Sequence, residues 1–241
     1  MNQERLSLSQ LVQGNPYPGR GIFVGMSPEG EKAMVAYFIM GRSANSRNRV
    51  FVLKDKDLFT QPFDLSLVED PRLIIYRAMT ANEERLIVTN GDQTDTLVQG
   101  EKQALSFDQA LMTRRFEPDG PNWTPRISAI LRFEEGSFTY EMSILKAGDP
   151  EGKTCQRAFF HYEPQPGKGH FLSTYCTDGS PLPSFMGEPK EVAIKPPLSH
   201  FCDQLWQALD PENKVSLYVR YIELKTGHFE ERIFNARNEN E

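Results

Sequence analysis

Residues 33–53 read Ala33-Met-Val-Ala-Tyr-Phe-Ile-Met40, then Gly41-Arg-Ser-Ala-Asn-Ser-Arg-Asn-Arg49, then Val50-Phe-Val-Leu53. The two apolar runs are short, rich in β-branched and aromatic residues and bounded by turn formers, which is the pattern of buried strands. The stretch between them carries three guanidinium groups, two serine hydroxyls and two asparagine amides, with no apolar side chain larger than Ala44. A polar loop held between core strands can place its groups accurately. Arginine's planar fork suits phosphate oxygens, and serine hydroxyls with backbone amides complete such a cradle. If Arg47 and Arg49 are extended, their side chains point the same way. A solvated hairpin loop explains the same composition, so the rest of the chain has to decide.

With 241 residues the chain is long enough for a large core, as one α+β domain or two small ones. Its 39% hydrophobic and 25% charged residues are ordinary for a globular protein. A net charge of -6 argues against a general nucleic-acid or anionic-membrane binder, which presents a basic face. Arginine (16) outnumbers lysine (11), and four arginines fall between Arg20 and Arg49. Local positive charge in an acidic chain favours one focused anion site. No apolar run approaches the ~20 residues that cross a bilayer. The opening residues lack a signal-type hydrophobic region, and Cys155, Cys176 and Cys202 are odd in number and widely spaced. Both features lead to the expectation of reduced thiols in a cytoplasmic protein.

Residues 1–16 read as a polar arm with a short apolar patch, Leu6 to Val12. Ser27-Pro-Glu-Gly30 is a turn signal that makes 21–40 a β-hairpin. Further strands are expected at 73–79 and 85–89, followed by helix over about 95–115, broken near Gly100, with Ser106 and Gln109 forming a capping box. Glu117-Pro-Asp-Gly-Pro-Asn-Trp-Thr-Pro-Arg126 contains three prolines and can be neither helix nor central strand. Such a stiff loop fixes its side chains at low entropic cost. Strands at 126–133, 137–146, 155–163 and 169–176 follow, then a turn-rich loop at 177–189. An amphipathic helix at 198–209, with Ser199 as its cap, and a hairpin around 225–228 close the chain. This pattern predicts a single layered α+β domain over 1–241 with large antiparallel sheets and few helices.

The loops at 41–49, 90–95, 117–126 and 174–188 all adjoin strand ends, where such chains gather a site. No metal-ligand spacing occurs: His200 and Cys202 lie two apart on a predicted helix and point away from each other. Cys176 with His170 could be imagined as a thiol and its base, but a small buried hydrophobe is the simpler reading. Tyr76, in mid-strand, reads by default as core. The residues alone therefore indicate an anion or nucleotide site without metal or cofactor.

Taken in order, Tyr17-Pro-Gly-Arg20, Gly41-Arg-Ser with Ser46-Arg47, Tyr76, Asn90-Gly-Asp-Gln-Thr-Asp95, Glu117-Pro-Asp119, Asn122-Trp-Thr-Pro-Arg126, Gly167-Lys-Gly169, Thr174-Tyr175 and Leu182-Pro-Ser-Phe185 resemble the archaeal-type inosine monophosphate (IMP) cyclohydrolase family. The resemblance implies a four-layer αββα fold similar to N-terminal-nucleophile hydrolases, used without their nucleophile. It also implies a cyclic-amidine hydrolase that closes 5-formamidoimidazole-4-carboxamide ribotide to IMP with loss of water. The partner it implies is a small purine ribotide, with no nucleic acid or membrane and with room for a homo-oligomer. The chain departs from the short family pattern by its arm before Tyr17 and by a helix and hairpin over 190–241.

On that resemblance, Arg20, Arg42, Arg47 and Ser46 are expected at the ribotide phosphate, with Arg47 also counted among the catalytic groups. Glu117 is the first candidate for proton transfer and Tyr76 for the formyl oxygen. Asn90, Asp92, Thr94, Asp119, Thr124 and Arg126 are expected at the ribose and base, or in support behind them. Three other readings stay open. One is a non-catalytic purine-nucleotide-binding paralogue on the same scaffold. A true N-terminal-nucleophile amidohydrolase is disfavoured, since Met1-Asn2 offers no nucleophile and Tyr17 would have to be exposed by cleavage. A purely structural module poorly explains so many polar residues in rigid loops.

Overall fold

A computed structural model describes residues 5–68 and 74–238, in which two antiparallel sheets dominate and helices are few. The first sheet runs, edge to edge, β11 (Lys190–Ala193), β10 (Lys168–Ser173), β1 (Arg20–Met26), β2 (Lys32–Met40), β12 (Lys214–Glu223) and β13 (Phe229–Asn235). The second runs β3 (Val50–Lys54), β4 (Asp57–Gln61), β5 (Tyr76–Ala81), β6 (Arg85–Thr89), β7 (Arg126–Glu134), β8 (Ser137–Ala147) and β9 (Cys155–Tyr162).

The unbroken apolar run of β2 is explained by burial on both faces. Val35, Tyr37 and Ile39 join Phe51, Met79, Val88, Ala129 and Met142 of the second sheet in a shared core. The alternate residues Met34, Phe38 and Met40 face the other way. There they meet α1 (Leu8–Val12) and α5 (Phe201–Ala208) through Leu8, Val12, Leu205 and Trp206. A fully buried large apolar side chain contributes roughly 1.5–3 kcal/mol, so the shared layer is what binds sheet to sheet. On the far side of the second sheet, Ile87, Ile130 and Leu145 pack under α3 (Gln93–Lys102) and α4 (Phe107–Leu111) through Leu97, Phe107 and Leu111. Among the described residues no helix is long and apolar enough to cross a membrane.

The 21–40 hairpin is present as β1 and β2, paired from Arg20 opposite Ile39 to Met26 opposite Ala33. The two flanks of the arginine stretch, however, belong to different sheets. Residues 41–49 are thus the crossover between sheets, and the hairpin reading falls. Within the crossover, Ser43 opens a turn of helix, α2 (Ala44–Arg47). Ser43 Oγ accepts from Ser46 N at 3.1 Å, and Ser46 Oγ accepts from Ser43 N at 2.8 Å.

Several boundaries differ from the sequence reading for local reasons. The strand expected from Leu73 begins at Tyr76; Leu73 itself lies outside the described residues. The 95–115 helix starts at Gln93 and splits into α3 and α4 around Ala104, whose φ is +56°. Ser106 and Gln109 do form the expected capping box. Ser199 caps nothing, because 198–200 is a 3-10 turn and α5 starts at Phe201 without a side-chain cap. The short strands β4 and β11 were not foreseen. The C-terminal hairpin is built into the first sheet, with β12 paired directly to β2.

Gly41 sits at the exit of β2. Its N–H donates to Asn213 O at 2.8 Å, and a Cβ there would lie 2.6 Å from the Ser46 carbonyl carbon and oxygen. Both colliding atoms are backbone, so the helical turn would have to move. Gly41→Ala should therefore cost roughly 1–3 kcal/mol, the usual range for overpacking. Thermal melting tests this, and an unchanged midpoint would show that the crossover yields freely.

Candidate active site

Four segments meet at one end of the seam between the sheets: 17–20 at the entry to β1, the crossover 41–49, the proline-rich loop 117–124, and 174–182 after β10. They enclose a cavity of about 250 Å³. Gly19 makes the approach of two of them feasible. Its φ is +79°, and a Cβ on it would come within 2.6 Å of Thr174 Oγ1 and the Tyr175 ring. Tyr17 consequently lies against Tyr175, ring centroids 5.9 Å apart with planes at 22°. The Tyr175 hydroxyl is 2.6 Å from Thr124 Oγ1. Asp119 braces its own loop by accepting from Thr124 N at 2.7 Å, while Glu117 N donates to Thr124 O at 2.9 Å. Asn122 Oδ1 accepts from Leu182 N, tying this loop to the 174–182 segment.

The charge pattern is the unusual feature. Arg20, Arg49 and Glu117 are 9, 2 and 4% exposed. Arg20 Nη2 lies 3.7 Å from Glu117 Oε2, and Arg20 Nε is buried with no acceptor among the described residues. Burial works against the charge on Arg20, but Glu117 and the surrounding tyrosines outweigh it and hold the pKa well above the ordinary arginine value. Burial, and then the like charge of Arg20, push the pKa of Arg49 down. For Glu117, burial raises the pKa against the opposing pull of Arg20 and Arg126. Two guanidinium groups and one carboxylate packed this way leave net positive charge in a poorly solvated wall, and such a wall favours an anionic or carbonyl-rich ligand.

Around the opening, Arg42 pairs with Asp178, donates to Gly179 O at 2.9 Å and lies over the Tyr17 ring at 5.0 Å. Ser43, Asn45 and Ser46 of the helical turn also line the cleft. Asn45 Oδ1 is buried without a partner among the described residues. The wall thus offers a free amide oxygen and cations beside a turn whose serine hydroxyls bond one another.

Of the residues expected from sequence, Arg20, Arg42, Ser46, Glu117, Asp119 and Thr124 line the cleft. Arg47 does not. The helical turn rotates it away from Arg49; its Nε donates to Gly41 O at 3.0 Å and its Nη2 to Asn213 Oδ1 at 3.1 Å, so it stitches the crossover to the β12 entry. Tyr76 lies behind Arg20, with its hydroxyl 2.9 Å from that of Tyr37. The 90–94 group forms a buried support. Asn90 Nδ2 donates to Pro125 O and its Oδ1 accepts from Ile127 N, while Thr94 bonds Thr89. Arg126 pairs with Asp92 at 2.7 Å and donates to Gln93 Oε1 at 2.7 Å, and Asp92 also pairs with Arg114. This network anchors the end of the loop that carries Glu117. Sequence reasoning passed over Arg49, Tyr17, Ser43, Asn45, Asn122 and Tyr175 as site residues. Arg49 could have been found, because it is the arginine adjoining the first apolar residue of β3.

A model of the IMP cyclohydrolase-like protein family matches residues 17–227, and the chain belongs to that family. No curated protein matches it.

The raised pKa of Glu117 carries a stability signature. A carboxyl group whose folded pKa lies above its unfolded value stabilises the fold fully below the unfolded pKa, and loses that contribution as pH rises through the folded one. Wild type should therefore lose stability relative to Glu117→Gln as pH rises from the ordinary carboxylate range toward neutrality, with the glutamine variant the more stable at neutral pH. Melting curves across that range check it; parallel curves would show that Arg20 compensates Glu117 in full.

Proposed function

We propose that this member of the IMP cyclohydrolase-like family closes 5-formamidoimidazole-4-carboxamide ribotide to IMP. The observation that carries the reading is the buried Arg20–Glu117 pair beside Arg49, in a cleft whose rim is a serine- and arginine-bearing turn. In the reaction the carboxamide nitrogen attacks the formyl carbon, and the carbonyl oxygen becomes a hydroxyl that leaves as water. One of the two protons in that water comes from the carboxamide and the other from the formamide nitrogen. The step joins a weak nucleophile to a mild electrophile within one molecule, so holding them in contact supplies much of the acceleration.

Glu117 is assigned to proton transfer, since burial pushes its pKa up and makes it a better proton acceptor than a free carboxylate. Arg20, with an unused Nε, is assigned to the developing oxyanion, alongside Tyr76. Arg42, Ser43 and Ser46 are assigned to the phosphate, with Arg49 replacing Arg47 as the inner cation. Tyr17 and Tyr175 flank the base, and Asp119, Asn122 and Thr124 meet the ribose or base. Asn90, Asp92, Thr94 and Arg126 act from behind. On this reading residues 1–241 form one cytoplasmic domain of the four-layer αββα kind found in N-terminal-nucleophile hydrolases, with helices covering the outer face of each sheet. Its partner is a small purine ribotide.

Adding the formamido-ribotide should produce the purine ultraviolet spectrum; tight IMP binding without turnover would instead identify a nucleotide-binding protein. Glu117→Gln should lower kcat by roughly 10²–10⁴ with KM nearly unchanged. A raised KM at constant kcat would move the proton to another group, Asp119 first.

Arg49→Lys keeps the charge and loses the fork, and a charge-assisted bond contributes roughly 1.5–3 kcal/mol. IMP affinity measured by calorimetry should fall about tenfold or more, whereas Arg47→Lys should act mainly on the melting temperature. The reverse ranking would return Arg47 to the phosphate.

A further inference from the structure

A hydroxyl pair lies beneath the cleft. Tyr37, in the middle of β2, is completely buried, and its Oη is 2.9 Å from Tyr76 Oη on β5. The bond therefore joins the two sheets, directly behind the Arg20 and Arg49 charges that both hydroxyls feel. Among the described residues each hydroxyl has the other as its hydrogen-bond partner. Either oxygen can be the donor, and the environment decides between the two orientations. If Tyr76 donates, the Tyr37 proton has no acceptor in a dry, apolar layer, which is the costly arrangement. If Tyr37 donates, the uncommitted proton belongs to Tyr76, which is 5% exposed and close enough to Arg20 to act on its charge. Burial pushes the Tyr37 pKa well up, so this hydroxyl keeps its proton.

We infer that Tyr37 is a positioning residue for the proposed ring closure: it donates to Tyr76 Oη, turns the Tyr76 proton toward the substrate's formyl oxygen, and stabilises the oxygen left behind. The inference rests on the reaction proposed above and adds a residue to it. In the step, the Tyr76 O–H bond breaks as a new O–H bond forms on the formyl-derived oxygen. The negative charge developing on Tyr76 Oη is met by the Tyr37 hydroxyl and by the two guanidinium groups. Glu117 passes the proton it took from the carboxamide to the hydroxyl, which leaves as water, and the proton then released from the formamide nitrogen restores Tyr76 through Glu117, so no further reactant is needed. The Tyr37 ring itself packs within 5.2 Å of Phe51, centroid to centroid, so the site end of the shared core fixes the angle from which the donor acts.

Tyr37→Phe keeps that ring and removes only the oxygen. We expect kcat to fall about tenfold or more, with KM and the IMP dissociation constant within about twofold of wild type. The decisive comparison is the same substitution in a Tyr76→Phe background, where a residue acting only through Tyr76 should have no further effect on kcat. An equal fall in both backgrounds, or an unchanged kcat in the single variant, would overturn the inference and leave the proposed reaction standing. Full kcat in Tyr76→Phe would remove the proton donor from the proposed reaction, and the role of Tyr37 with it.

Discussion

Two buried guanidinium groups facing one buried carboxylate are the constraint around which this chain is arranged. Arg20 and Arg49 lie in a wall that admits little water, and Glu117 answers only one of their charges. Burying unmatched charge is costly, and the energy must come from elsewhere in the fold. It comes from the layer between the sheets, where residues of both sheets form one apolar cluster. The arginines enter at the edge of that layer. Arg20 opens β1, and Arg49 adjoins the start of β3, so each is anchored by a strand at its back.

The loops around the charges are rigid for chemical reasons visible in their sequences. Gly41 lets the chain leave β2 and turn at once into a helical turn, and the capping bonds of Ser43 and Ser46 hold that turn. Arg49 then reaches back to carbonyl acceptors on the main chain, donating to Ser46 O at 2.7 Å and Met40 O at 3.0 Å. Those bonds use its Nε and Nη2, which leaves donor capacity on the cleft side. Arg47 does the corresponding work on the other side of the turn. Two arginines two residues apart thus divide the tasks, one holding the crossover in place and one facing the cleft.

This division is also where the sequence was hardest to read. The strand β2 was legible because both of its faces are buried and its run is apolar throughout. The capping box at Ser106, the proline-stiffened loop and the closing hairpin were legible because each rests on chemistry within a few residues. The side on which Arg47 and Arg49 fall depends on whether residues 44–47 extend or coil, and a four-residue turn leaves no periodicity to detect. Tyr17 and Tyr175 lie far apart in sequence and meet through Gly19, a contact made by tertiary packing alone. Asn90 was expected at the ribose and base or in support behind them, and nothing in the local sequence chooses between the two. Its bonds to Pro125 and Ile127 make it the fastening of β7 to the loop bearing Glu117.

The seam position explains how such different segments can cooperate. A site within one sheet would feel only that sheet's strands, but the crossover joins the end of β2 to the start of β3, so the cleft borrows rigidity from both. Arg20 comes from the first sheet, and Glu117 hangs between α4 and β7 of the second. Their 3.7 Å separation is therefore set by how the two sheets pack and not by any local turn. At that distance the pair is looser than a hydrogen-bonded salt bridge, and Arg20 Nε remains unsatisfied. The dense apolar layer beneath resists the shift that would close the gap, because interiors packed to crystal density do not slide cheaply. The charges are held slightly apart by the core, and the polar capacity left over is directed into the cleft.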